Sequence, residues 1–176
     1  PTSHQRLLGW IAAVAELTPQ LLESSHDIHA NPELAFREHR ACARLSDELE
    51  AGGFTVERGA GGLPTAFRAE YSGGEPGPTI AILAEYDALP GIGHACGHNI
   101  IASAAVGAAL ALAEVADELG LTVALIGTPA EESGGGKALL IEAGVFDDVA
   151  AAVMVQPGPI DIAAGRSLAL SEATVT

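Results

Sequence analysis

Three short runs in this 176-residue chain carry apolar side chains without a break: TIAILA at 79–84, LTVALIG at 121–127 and AAVMV at 151–155. A strand with one wet face alternates apolar and polar residues, whereas an unbroken run needs cover on both faces. Between the first two runs lies IIASAAVGAALALAEVADEL (100–119), apolar on nearly every side and therefore a buried helix. A shorter helix near 136–143 separates the second run from the third. The expectation is an α/β fold with a largely parallel central sheet flanked by helices. Helices are also expected at 5–25 and 38–50, and further strands at 54–58, 65–71 and 167–176, with the first apolar run extending to 87. Asn31-Pro32 marks a turn, and SGGEPGP (72–78) a loop.

In open α/β sheets, ligands bind beyond the carboxyl ends of the strands. Glu85, Asp87, His94, Cys96 and His98 follow the first run, Glu131 and Glu132 the second, and Gln156 the third. Every cluster of potential ligands thus reaches one edge of the expected sheet. The chain has six histidines and two cysteines, yet GIGHACGHNI holds three of these residues within five positions. Thiolate, imidazole and carboxylate together suit Zn²⁺ or a similar first-row ion better than Ca²⁺ or Mg²⁺. Cys96 and His98 share a face if the backbone is extended there, which Gly93 and Gly97 permit. Asn99 is expected to cap a helix beginning at Ile100. The adjacent Glu131 and Glu132 allow a division of labour, one carboxylate binding metal and the other taking a proton from an activated water. The glycines of SGGGK lack the spacing of a phosphate loop and sit beside carboxylates that repel phosphate.

A formal charge of −15 argues against nucleic acid or an anionic membrane as partner. Two cysteines make no disulfide framework, and no uncharged run reaches the length of a membrane span, so a cytoplasmic protein is expected. Aromatic residues make up 4% of the chain, which leaves the core to Ala, Val, Leu and Ile. Cys42 reads as part of that core. His26 and His29, flanking the Asn-Pro turn, read as packing or capping residues.

AEYDALPGIGHACGHN, followed by GTPAEESGGGK, closely resembles the M20 metallopeptidase and amidohydrolase family. The match is to its branch of aminobenzoyl-glutamate hydrolase subunits and M20 domain-containing protein 2 dipeptidases. HDIHANPELAFREHR resembles the N-terminal signature of the same branch. The resemblance implies a pair of divalent ions, Zn²⁺ foremost with Mn²⁺ or Co²⁺ as alternatives, and hydrolysis of an amide bond. By motif position Cys96, His98 and Glu132 match the family's metal ligands and Glu131 its general base. Asp87 matches the acidic residue that supports the metal site, and His94 a residue that orients a ligand. Where relatives read MVHPGP this chain reads MVQPGP. Gln156 thus stands in place of an expected His ligand, and one metal position is expected to be weak. Residues 1–166 are expected to form the N-terminal segment of the catalytic domain. Residues 167–176 are expected to lead into a lid domain that makes a homodimer in the complete protein. The substrate implied is a small dipeptide or N-acyl amino acid, and the alternative is a non-catalytic metal- or ligand-binding remnant.

Overall fold

The computed structural model describes residues 3–74 and 77–158. The strand expected at 167–176 and the entry to a lid therefore lie outside the described residues. Helices α1 (Ser3–Ala30) and α2 (His39–Ala51) precede strands β1 (Thr55–Arg58), β2 (Phe67–Ser72) and β3 (Thr79–Ala84). Helix α3 (His98–Leu119) leads to β4 (Thr122–Gly127), and α4 (Gly136–Glu142) leads to β5 (Val149–Val153). The strands form one sheet in the order β1-β2-β4-β3-β5.

β3 runs parallel to both β4 and β5, as the helices between the apolar runs require. β1 and β2 pair antiparallel with each other, and β2 pairs antiparallel with β4. The sheet is therefore mixed rather than largely parallel. The connections explain this, because β1 and β2 are joined by a short segment around the single turn Ala60–Gly62. A parallel pair would need a longer crossover. β2 also has the one-sided pattern of an antiparallel strand, with Phe67 and Ala69 buried and Arg68 and Glu70 half-buried.

The unbroken apolar runs reflect two cores. β4 directs Val123 and Leu125 into the larger core beneath α1, α2 and α3. Its Ala124 and Ile126 enter a smaller one that includes Leu140 of α4. Helix α3 is long and apolar enough to cross a membrane, yet here it packs between α1 and the sheet. Gly107 makes that approach possible: a Cβ there would come within 2.6 Å of Leu21 Cδ1 on α1. β5 departs from expectation. Among the described residues it is an edge strand of the sheet, and four of its five residues are exposed. An apolar run records what a strand is able to bury, not what lies over it.

α1 runs five residues past its expected end, so His26 and His29 belong to its last two turns rather than flanking a turn. Asn31 closes it, its main-chain and side-chain N–H groups both donating to the Asp27 carbonyl, at 3.1 and 2.8 Å. Pro32 then bars continuation. Cys42 is buried in the larger core as expected, and burial pushes its thiol up to about 11.

Arg68 fastens β2 to the turn before β5. It donates to both Asp148 carboxylate oxygens, at 2.8 and 2.6 Å, and to the Val145 carbonyl at 2.6 Å. The Arg68 hydrogen bonds hold the Asp148 pKa below its usual value, against a smaller effect of burial. That stabilisation is present above the unfolded carboxyl value and is lost as pH falls through the depressed folded one. Arg68→Met should cost about 1 kcal/mol near neutral pH, since Asp148 is largely exposed and the pair is screened. Urea unfolding at pH 7 and below pH 4 checks this: the gap between variant and parent should narrow in acid.

Candidate metal centre

β3 and β4 are in register to their last residues, Ala84 opposite Gly127. Beyond them the Thr128 N–H donates to the Ala84 carbonyl at 2.8 Å. The segments carrying Glu85 to Asp87 and Glu131 to Glu132 therefore leave the sheet side by side. Tyr86, fully buried within the first, donates its hydroxyl to the Thr65 carbonyl at 2.6 Å and anchors that segment.

The approach to α3 differs from expectation. Cys96 lies on a turn rather than in extended backbone, and the left-handed Gly97 (φ 75°) caps a helix that starts at His98, not Ile100. A Cβ on Gly97 would lie 2.9 Å from the Pro157 ring, so glycine is required there both for its φ and for space. Asn99 does not cap the helix. It sits in the first turn and donates to Ser25 Oγ on α1 at 2.9 Å.

His98 is the hub of the site. Its Nδ1 lies 2.8 Å from the Asp87 carbonyl and 3.1 Å from Asp87 Oδ1, so the Nδ1 proton is held there. Nε2 is left facing Glu85 Oε2 at 3.3 Å, Glu131 Oε2 at 3.6 Å and Glu132 Oε1 at 3.6 Å. Asp87 Oδ2 accepts the Glu132 main-chain N–H at 2.9 Å. One buried carboxylate thus orients the imidazole and the glutamate loop together. Glu85 is also buried. Its Oε1 pairs with Lys137 of α4, and its Oε2 has no hydrogen-bond partner.

This donor set fits a divalent cation. An imidazole lone pair aimed at three carboxylates, one of which has an orphaned buried oxygen, is repulsive unless positive charge lies among them. The ligand atoms of Glu85, His98 and Glu131 all lie within 4.8 Å of one another. Burial works against charge on His98, but the Asp87 hydrogen bond and the Glu85 and Asp87 charges outweigh it and raise its pKa. Burial would raise Asp87, yet hydrogen bonds from His98 and the Glu132 and Glu131 amides hold it below the usual carboxylate value. Burial and the neighbouring Glu85 charge push Glu131 up. The exposed Cys96 thiol is pushed up to about 11, first by its hydrogen bond with Glu132, then by burial and the surrounding carboxylates. A bound cation reverses that balance and favours thiolate.

Asp87, His98, Glu131 and Glu132 thus form one constellation, which Cys96 meets through its hydrogen bond with Glu132. Two residues with no role assigned from sequence join it: Glu85, directly after β3, and Lys137. The first had a signal, since it ends the same apolar run as Asp87. His94 is buried beside them, and neither ring nitrogen bonds a side chain of the cluster. Burial, then the His98 and His29 charges, lower its pKa. It faces the His29 ring across 6.4 Å. Both line an open cleft of about 680 Å³ with Cys96 and Gln156.

Residues 81–166 match the model of peptidase family M20/M25/M40. The chain is 43% identical to a Mus musculus Xaa-Arg dipeptidase, over 92% of this chain and 40% of the relative. It is 40% identical to a p-aminobenzoyl-glutamate hydrolase subunit of Escherichia coli, over 72% of this chain and 30% of the relative. Among solved structures, a dinuclear metal-binding M20 peptidase of Bacillus subtilis superposes with a TM-score of 0.72 at 34% identity, covering 78% of this chain and 42% of that one. The chain belongs to the M20 family of peptidases and amidohydrolases. It spans about two fifths of the length of the dipeptidase.

Asp87→Asn keeps the shape of the side chain but cannot accept from both His98 and the Glu132 amide. Divalent-ion affinity should fall by about 10- to 100-fold, as when a partner that orients a ligand is lost. Competition against a chromophoric chelator measures it; unchanged affinity would show that the Asp87 carboxylate does not set the His98 orientation and that the main-chain carbonyl suffices.

Proposed function

We propose that residues 1–166 are the N-terminal segment of the catalytic domain of a metal-dependent hydrolase. Its substrates are dipeptides or N-acyl amino acids, and it cleaves their amide bond. The observation that carries this reading is His98 Nε2 facing Glu85, Glu131 and Glu132 while Asp87 holds the opposite nitrogen. The names of the relatives support the substrate class. A dipeptide and p-aminobenzoyl-glutamate both join an acyl group to the nitrogen of an amino acid. On this reading residues 167–176 lead into a lid through which two copies pair.

Cys96, His98 and Glu132 are the residues assigned to hold the metal, with Zn²⁺ favoured by the thiol and imidazole. A divalent ion bound there supplies positive charge that polarises the amide carbonyl and makes water acidic enough to deprotonate near neutral pH. Glu131 is the group that moves the proton. It takes one from the attacking water and delivers it to the leaving nitrogen, and its raised pKa suits both halves of that task. Asp87 keeps the Nδ1 proton of His98 in place, so Nε2 stays available as a donor atom. A second reading, a remnant that binds metal or ligand without turnover, is favoured by Gln156 at the position of an expected imidazole. Glutamine offers only a weakly basic carbonyl oxygen.

Two substitutions in the full-length protein test the reading. Glu131→Gln should lower turnover of amide substrates by at least ~10²-fold with little change in metal content, checked by kinetics alongside elemental analysis. An unaltered rate rules Glu131 out as the base. Gln156→His should tighten the weaker metal position and raise amidase activity at limiting metal. If titration gives equal affinity and equal activity in both forms, Gln156 lies away from the metal.

A further inference from the structure

The segment NPELAFRE (31–38) joins α1 to α2 and takes no part in the chemistry assigned above, yet it grips both loops that carry the site. Its Glu33 carbonyl accepts the Ala88 N–H at 2.8 Å, one residue beyond Asp87. The Glu33 carboxylate accepts the Arg40 and Ala41 N–H groups at 3.0 and 2.9 Å and so caps α2. Glu38, at the N-cap position of α2, is thereby free of the capping task usual for such a residue. Its side chain turns inward and is fully buried. There Glu38 Oε1 accepts two main-chain N–H groups, from Phe36 at 3.0 Å and from Ala130 at 2.9 Å.

Those two donors are the residues other than glycine that carry positive φ among the described residues, both at 59°. A left-handed conformation is unfavourable for any side chain with a Cβ, and it persists only where the surroundings impose it. Ala130 immediately precedes Glu131. The Phe36 ring packs against the same loop, where a Cβ on Gly134 would come within 2.3 Å of it. One buried oxygen atom therefore holds a strained residue on each of two segments that meet, one of which aims Glu131 and Glu132.

We infer that Glu38 is a positioning residue: it holds Ala130 in the left-handed conformation that points Glu131 and Glu132 into the site, and it acts as a hydrogen-bond acceptor of fixed reach rather than as a charge. The inference rests on the hydrolase reading only for its kinetic consequence. It concerns this loop whatever the loop is used for.

The test contrasts two variants of the full-length protein. Glu38→Gln keeps the reach and one acceptor oxygen while removing the charge, and its amide nitrogen takes the place of Oε2 near the Thr65 hydroxyl. Glu38→Asp keeps the charge but shortens the side chain by one methylene. Gln should retain turnover within about threefold of the parent, whereas Asp should lose at least ~10-fold in kcat with KM little changed, as for a misplaced catalytic group. Metal affinity measured by chelator competition should follow the same order. Amide hydrogen exchange at Ala130 supplies a readout independent of catalysis, accelerated in Asp and near the parent rate in Gln. If the parent hydrolyses no amide, the hydrolase reading fails while the exchange contrast still decides the role of Glu38. Equal exchange at Ala130 in parent and Asp variant, or a Gln variant as impaired as Asp, overturns the inference.

Discussion

The Asp87 carboxylate is the interaction on which the site depends. One oxygen meets His98 at the start of α3, and the other accepts the Glu132 amide on the loop after β4. These two segments are far apart in sequence and have no reason to meet except the parallel register of β3 and β4, which delivers both to one edge. Asp87 converts that rough proximity into fixed geometry. Its burial favours the neutral form, and the donors around it outweigh that and hold its pKa below the usual carboxylate value. The donors and the carboxylate thus stabilise one another, and neither half of the arrangement stands without the other.

Around that link the charge is lopsided. Glu85, Glu131 and Glu132 surround one imidazole nitrogen, with Lys137 as the compensating cation on Glu85. Burial and the repulsion of neighbouring carboxylates both raise a carboxyl pKa in such a place, as happens to Glu131. Such a cluster is costly as a purely structural device, because apolar side chains would fill the same space more stably. A cation among them removes the cost.

Much of this was legible in the sequence because burial on two faces leaves a plain mark. The runs at 79–84 and 121–127 gave β3 and β4, and the residues after them gave Asp87, Glu131 and Glu132. What escaped was set by partners that a linear pattern does not contain. β5 is apolar like β3 but, among the described residues, lies at an edge of the sheet and is exposed. The antiparallel placement of β2 follows from its short link to β1 and its alternation of buried Phe67 and Ala69 with half-buried Arg68 and Glu70. Asn99 looked like a cap, but Gly97 reverses the chain first, so Asn99 turns toward Ser25 of α1. Glu38 was hidden for a similar reason. An acidic residue just before a helix ordinarily serves that helix, and here Glu33 has taken over that duty.

The exchange of roles between Glu33 and Glu38 shows how a short connection shapes a distant site. A loop that only joined α1 to α2 would need one cap and a polar exterior. This one spends a buried carboxylate on two left-handed residues, an arrangement that burial and backbone strain both oppose. Buried Glu38 has its pKa raised by desolvation, the opposing hydrogen bonds being weaker. Strain of this kind clusters where a side chain must be aimed, not where a chain merely turns. Ala130 is where the chain leaves β4 and redirects toward Glu131 and Glu132. A less strained path through that residue would carry the two carboxylates elsewhere along the sheet edge, away from His98. The strained backbone and the acidic cluster are therefore two aspects of one requirement: both glutamates must reach an imidazole that Asp87 has already fixed.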